Sequence, residues 1–135
     1  MTDLVPIAAF VRRHWPNCRH WPRERLIAWL DWYSRGGRLA IARDQNKIVG
    51  LGLARPLDRL EDRIDSYAHA ENGPIIWVEL AIAKHPRALP TLWRLMSQRY
   101  GVRQRVAFQR GKSHCERPHL YDFQKLNRRL QLNQG

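Results

Sequence analysis

At 135 residues the chain is sized for one domain, 1–135, around a single core, and six tryptophans with 44% hydrophobic content exclude a disordered protein. No uncharged apolar run approaches the ~18 residues of a membrane-spanning helix. A net charge of +12, from 24 Lys and Arg against 12 Asp and Glu, selects partners by sign: nucleic acid, an anionic membrane surface, or an acidic protein such as an acyl carrier.

The opening, Met-Thr-Asp-Leu-Val-Pro, has neither the basic start nor the apolar stretch of a secretory signal. With Cys18 and Cys115 as its two thiols, the chain is expected in a reducing, cytoplasmic compartment. Asp3 is placed to cap a first helix, Leu4 to about Trp15, with Ile7, Phe10, Val11 and His14 on one face. Pro16 stops it. Pro22 starts a second helix that carries Leu26, Ile27, Trp29, Leu30 and Tyr33 and ends at Gly36-Gly37. Segments 38–43 and 48–54 around the turn residues Asp44 to Lys47 predict an antiparallel hairpin, and Gly50 and Gly52 mark a bulge or a close approach of ligand or backbone. Between Pro56 and Asn72, Asp58, Glu61, Asp62 and Asp65 interleave with Leu57, Leu60 and Ile64, as in a short amphipathic helix or a lid.

Residues 75–83 form the longest apolar run, too continuous to leave one face in water, and predict a central strand. Leu89, Leu92, Trp93, Met96 and Tyr100 then share one stripe of a helix over 87–100, closed by Gly101. Residues 105–110 predict a short strand around Val106 and Phe108, 113–118 a loop, and 120–132 a last helix bearing Leu120, Phe123, Leu126, Asn127 and Leu130. The order is α-α-β-β-lid-β-α-β-α: an α/β fold of three layers, a mixed sheet with flanking helices, in which the hairpin feeds a parallel pair.

Glu79 interrupts the central run. A carboxylate there must be paired, protonated or facing a cleft, because an isolated buried charge costs several kcal/mol. It is either a functional carboxylate or one half of a structural ion pair with an arginine. Cys18 is a nucleophile if a neighbouring cation lowers its pKa, or a small buried thiol. His14, Cys18 and His20, with His114, Cys115 and His119, are enough ligands for zinc, but their spacings match no common finger or ribbon, and no metal is expected. Basic residues among aromatics, with Arg105, Arg110, Lys112 and Arg117 able to track phosphates, make single-stranded nucleic acid an alternative partner.

The element order resembles the Gcn5-related acyltransferase fold, in which a hairpin, a bulged fourth strand, a crossover helix and a fifth strand form a splayed donor cleft. That family holds the acetyl-CoA pyrophosphate on a glycine-rich loop between the fourth strand and its helix. Here the loop is Lys84-His-Pro-Arg-Ala-Leu-Pro90, with no glycine. A closer resemblance, through Arg19-His20-Trp21-Pro22, Trp77-Val-Glu79-Leu-Ala81-Ile, Ala88-Leu-Pro-Thr-Leu-Trp-Arg-Leu-Met96 and Phe108-Gln-Arg-Gly111-Lys112, is to the toxin-activating (hemolysin-activating) lysine acyltransferases. These take a fatty acyl group from acyl carrier protein instead of CoA.

The resemblance implies transfer of an acyl group from an acidic carrier, or another acyl thioester, to an amine such as a protein lysine, with no bound cofactor. The family's strand Asp corresponds to Glu79; its His, counted back from Trp-Pro, falls on Cys18, with His20 two residues later. His20 is then the candidate base, Glu79 its orienting partner, Cys18 an alternative nucleophile, and Trp21, Arg110 and Lys112 candidate donor-binding residues. The alternative is a non-catalytic module on the same fold, of phage or mobile-element type, that binds nucleic acid or an acidic protein.

Overall fold

The computed structural model describes residues 3–108 and 118–132. Asp3 caps the first helix, its Oδ1 accepting the Val5 N–H at 3.1 Å, and α1 runs Leu4–His14. A 3-10 turn, Pro16–Cys18, leads to α2, Arg23–Arg35. Strands β1, Leu39–Asp44, and β2, Lys47–Leu57, are joined by Gln45 and Asn46 at φ 50° and 71°. Both turn residues are left-handed, which matches the twist of a two-residue hairpin. A second 3-10 turn, Leu60–Ile64, precedes β3, Ile75–Ala83. Helix α3, Ala88–Tyr100, strands β4, Arg105–Phe108, and β5, His119–Asp122, and helix α4, Phe123–Leu132, complete the described chain.

The five strands form one mixed sheet in the order β1-β2-β3-β4-β5, parallel between β3 and β4 and antiparallel elsewhere. The expected hairpin, central strand and parallel pair are present. Two expectations need correction. Residues 119–122 are a strand, not the start of the last helix, because His119 and Tyr121 stack their rings with Phe108 across the β4–β5 pair. The last helix begins only after Asp122, whose Oδ1 accepts the Lys125 N–H. Leu89 is 45% exposed and lies off the buried stripe of α3; Ala88 takes that place, packed beside Gly50, where an added Cβ would meet the Ala88 Cβ at 2.9 Å.

Strand residues alternate between faces. Leu51 and Leu53 of β2 join Ile7, Val11, Leu26, Leu30 and Tyr33 of α1 and α2, while Ala54 and Ile76 join Trp93, Met96, Tyr100 and Phe123 of α3 and α4. The Tyr100 hydroxyl donates to the Ala54 carbonyl at 2.7 Å, tying α3 to β2. Burial pushes this phenol up to about 12. A folded-state value above the unfolded one means that its contribution to stability is complete below about pH 10 and is lost as pH rises toward 12. We expect Tyr100→Phe to flatten this part of the alkaline unfolding curve, read by circular dichroism; a curve identical to wild type would contradict the assignment.

Candidate functional site

Within the described residues β3 pairs in parallel with β4 from Ile75↔Arg105 to Val78↔Phe108, and β3 continues to Ala83. The next residue after Val78 is Glu79. On the other flank, Leu53 pairs with Leu80 and Ala54 with Val78, so Glu79 is the extra residue of a β-bulge. Bulges re-aim side chains and recur beside active sites. The longest apolar run in the chain therefore bends at its one charged residue.

A cleft of about 1220 Å³ lies at this bulge. Glu79, Val78 and Ala81 form its floor with Phe108 of β4, and Leu89 and Trp93 of α3 form one wall. Trp15, Trp21 and Trp29 form another, and their rings pack against one another at centroid distances of 5.3–5.7 Å. Five of the six tryptophans line the cleft, so its chemistry favours an apolar or aromatic guest held by few polar groups. Ile64 and Tyr67, 80% and 51% exposed, give the 60–68 segment an apolar edge along it.

That segment is held by a buried cation. Arg55 is fully buried in β2, and its guanidinium donates to three backbone carbonyls: Asp65 at 2.8 Å, Ala68 at 2.7 Å and Arg63 at 2.9 Å. Farther along, Glu71 accepts from Arg99 and contacts His69, each at 2.6 Å, which holds its carboxyl down at about 2. Tyr33 is buried beneath the site with its hydroxyl unpartnered among the described residues. Burial first, and then the charge of Glu79, push that phenol well above its ordinary range, with Arg55 acting the other way.

Glu79 makes no ion pair among the described residues. Its one hydrogen bond is from the Trp77 indole N–H to Oε2 at 2.6 Å, which orients the carboxylate and leaves Oε1 unpartnered in the described set. Trp21 lines the same cleft, beneath the Arg25 guanidinium at 4.3 Å from its ring. His20 is solvent-exposed and is not among the cleft-lining residues. Cys18 is fully buried under α1, its thiol donating to the Trp15 carbonyl at 3.2 Å, and burial pushes its pKa up, against the pull of Arg12. A thiol so placed is a core group, protonated at neutral pH. Arg110 and Lys112 lie outside the described residues, as do His114, Cys115 and Arg117.

No family model and no curated protein matches the chain.

The loop before α3 offers little to a pyrophosphate. The Arg87 N–H donates to the His85 ring and the Ala88 N–H to the His85 carbonyl, while Pro90 has no N–H. Among the described residues, no three His, Cys, Asp or Glu side chains gather as metal ligands, and no helix is long and apolar enough to cross a membrane. Arg55, Trp77 and Tyr33 were not singled out from sequence. Arg55 carries the same signal as Glu79, a charge inside an apolar strand run, and the Trp77–Glu79 spacing is that of two residues on one strand face.

Proposed function

We propose that this chain is an acyltransferase with a three-layer, Gcn5-related type of fold, which moves an acyl group from the thioester of an acidic carrier protein to an amine. The observation that carries the reading is Glu79: a carboxylate free of any described cation, on a bulge of the central strand and in an apolar cleft. The filled start of α3 favours a protein-borne thioester over a CoA ester, and the net charge of +12 favours an acidic carrier.

In this reading Glu79 itself is the base, because it lines the cleft and His20 does not. As the amine nitrogen attacks the thioester carbonyl, Glu79 takes the amine proton. Collapse of the tetrahedral intermediate completes the C–N bond and breaks the C–S bond, and the departing thiolate recovers the proton. The Trp77 indole keeps the carboxylate aimed, and the tryptophan wall excludes water that would hydrolyse the thioester.

The test is transfer to a lysine-containing peptide from acyl carrier protein thioesters and from acyl-CoA, with the amide read by mass spectrometry. We expect amide from the carrier thioester, in preference to acyl-CoA, at a rate that falls as salt screens the encounter. No amide from any donor, together with salt-dependent binding of single-stranded RNA, would replace this reading with that of a nucleic-acid-binding module.

A further inference from the structure

At the end of the sheet where β3 stops and the β1–β2 hairpin turns, four segments bring cations together. Arg43 and Lys47 flank the hairpin turn, one on each strand. Lys84 follows β3, its N–H donating to the Val49 carbonyl of β2 at 2.7 Å, and Arg87 precedes α3. Arg13 stands in the last turn of α1. Burial first, and then the charges of Lys84 and Arg13, hold the His14 imidazole below its ordinary range, so α1 ends beside the end of β3. All five cationic residues are exposed, and none joins an ion pair among the described residues.

Like charges so placed repel one another, and their exposure gives them no part in the core. Arg13 complements the C-terminus of its helix; the other four have no such local reason. We propose that this face binds the phosphate backbone of a nucleic-acid duplex. The ends of β1, β2 and β3 spread the cations over two inter-strand steps, about 10 Å. A duplex carries one charge for about each 1.7 Å of its axis, so this width meets about six phosphates, enough for all five cations. Segments 43–48 and 84–91 hold no Phe, Tyr or Trp on which the bases of a single strand would stack. Leu89, their one large exposed apolar residue, belongs to the cleft wall, so the apolar centre of a protein–protein contact is missing as well. The one carboxylate in those segments, Asp44, lies 3.9 Å from the His85 ring and opposes an anion.

The experiment measures binding of short DNA and RNA duplexes of one sequence to the whole protein by fluorescence anisotropy across a salt series, since both offer this backbone. For wild type, log K should fall against log salt with a slope of about −4.5, five contacts at about 0.9 each, and in the double variant Lys47→Gln/Lys84→Gln with a slope of about −2.7. Asp44→Asn should bind more tightly than wild type. The control is Arg105→Gln/Lys125→Gln, which removes the same charge from the opposite end of the sheet, where Arg105 pairs with Asp122 and Asp122 caps Lys125. It should keep the wild-type slope. Glu79→Gln should bind the duplex as wild type does, so the proposal stands or falls apart from the acyl-transfer reading.

No binding of either duplex, a slope that the Lys47→Gln/Lys84→Gln protein keeps at the wild-type value, or an equal loss in the control overturns the proposal. So does tighter binding of the single strand of the same sequence. If the double variant weakens binding of acyl carrier protein or of anionic vesicles and leaves the duplex untouched, the face belongs to that partner and the proposal falls.

Discussion

Glu79→Gln should lower acyl transfer from carrier thioesters by about 10²–10⁴, the usual weight of a general base, while leaving the thermal melt close to that of wild type. The amide keeps the size and can still accept the Trp77 indole proton, so the bulge and the cleft wall are retained. What is lost is the capacity to hold the amine proton as the new bond forms. Glu79→Asp, which keeps the charge but withdraws it by one methylene, should fall between the two. Transfer at the wild-type rate by a folded Glu79→Gln protein would remove this residue from the chemistry.

Arg55→Met should destabilise the protein by about 3 kcal/mol, a shift read directly in the urea midpoint, because three charge-assisted hydrogen bonds are lost together and their carbonyl acceptors are left behind. Loss should concentrate in the 58–73 segment and appear there first as faster amide hydrogen exchange. Arg55→Lys should not restore it: a single ammonium cannot place donors on three carbonyls with the planar fork of a guanidinium. A midpoint unchanged in Arg55→Met would mean that the segment is held by its other ties, chiefly Arg38 with His69 and Arg99 with Glu71.

Local signals carried much of the architecture. The Asp3 cap, Pro16, Pro22, the Gln45-Asn46 turn and the 75–83 run each act within a few residues, and each lies where local chemistry puts it. Strand β5 was not legible because its four residues are held by pairing with β4 and by the Phe108 ring, contacts with no signature in their own spacing. The extension of β2 to Leu57 has the same cause, since its pairing partner is Ile75.

The site was legible in one part and hidden in another. Glu79 stood out because a charge in an apolar run violates a local rule. The bulge that turns it into the cleft depends on the register between two strands, and His20, the residue before the wall member Trp21, could be judged only once the cleft-lining residues were known. Arg55 broke the same rule as Glu79, and its role required the path of a segment up to 13 residues downstream.

Arg55 grips carbonyl oxygens, and every amino acid has one. The three bonds that fasten the chain past the cleft therefore ask nothing of the side chains at 63, 65 and 68 beyond a backbone that can follow the same path. Ile64 and Ser66, which line the cleft, can be exchanged for others without touching those three bonds. Nature, or an engineer, can reshape what this cleft admits by rewriting a few letters on a ribbon whose fastening is written elsewhere.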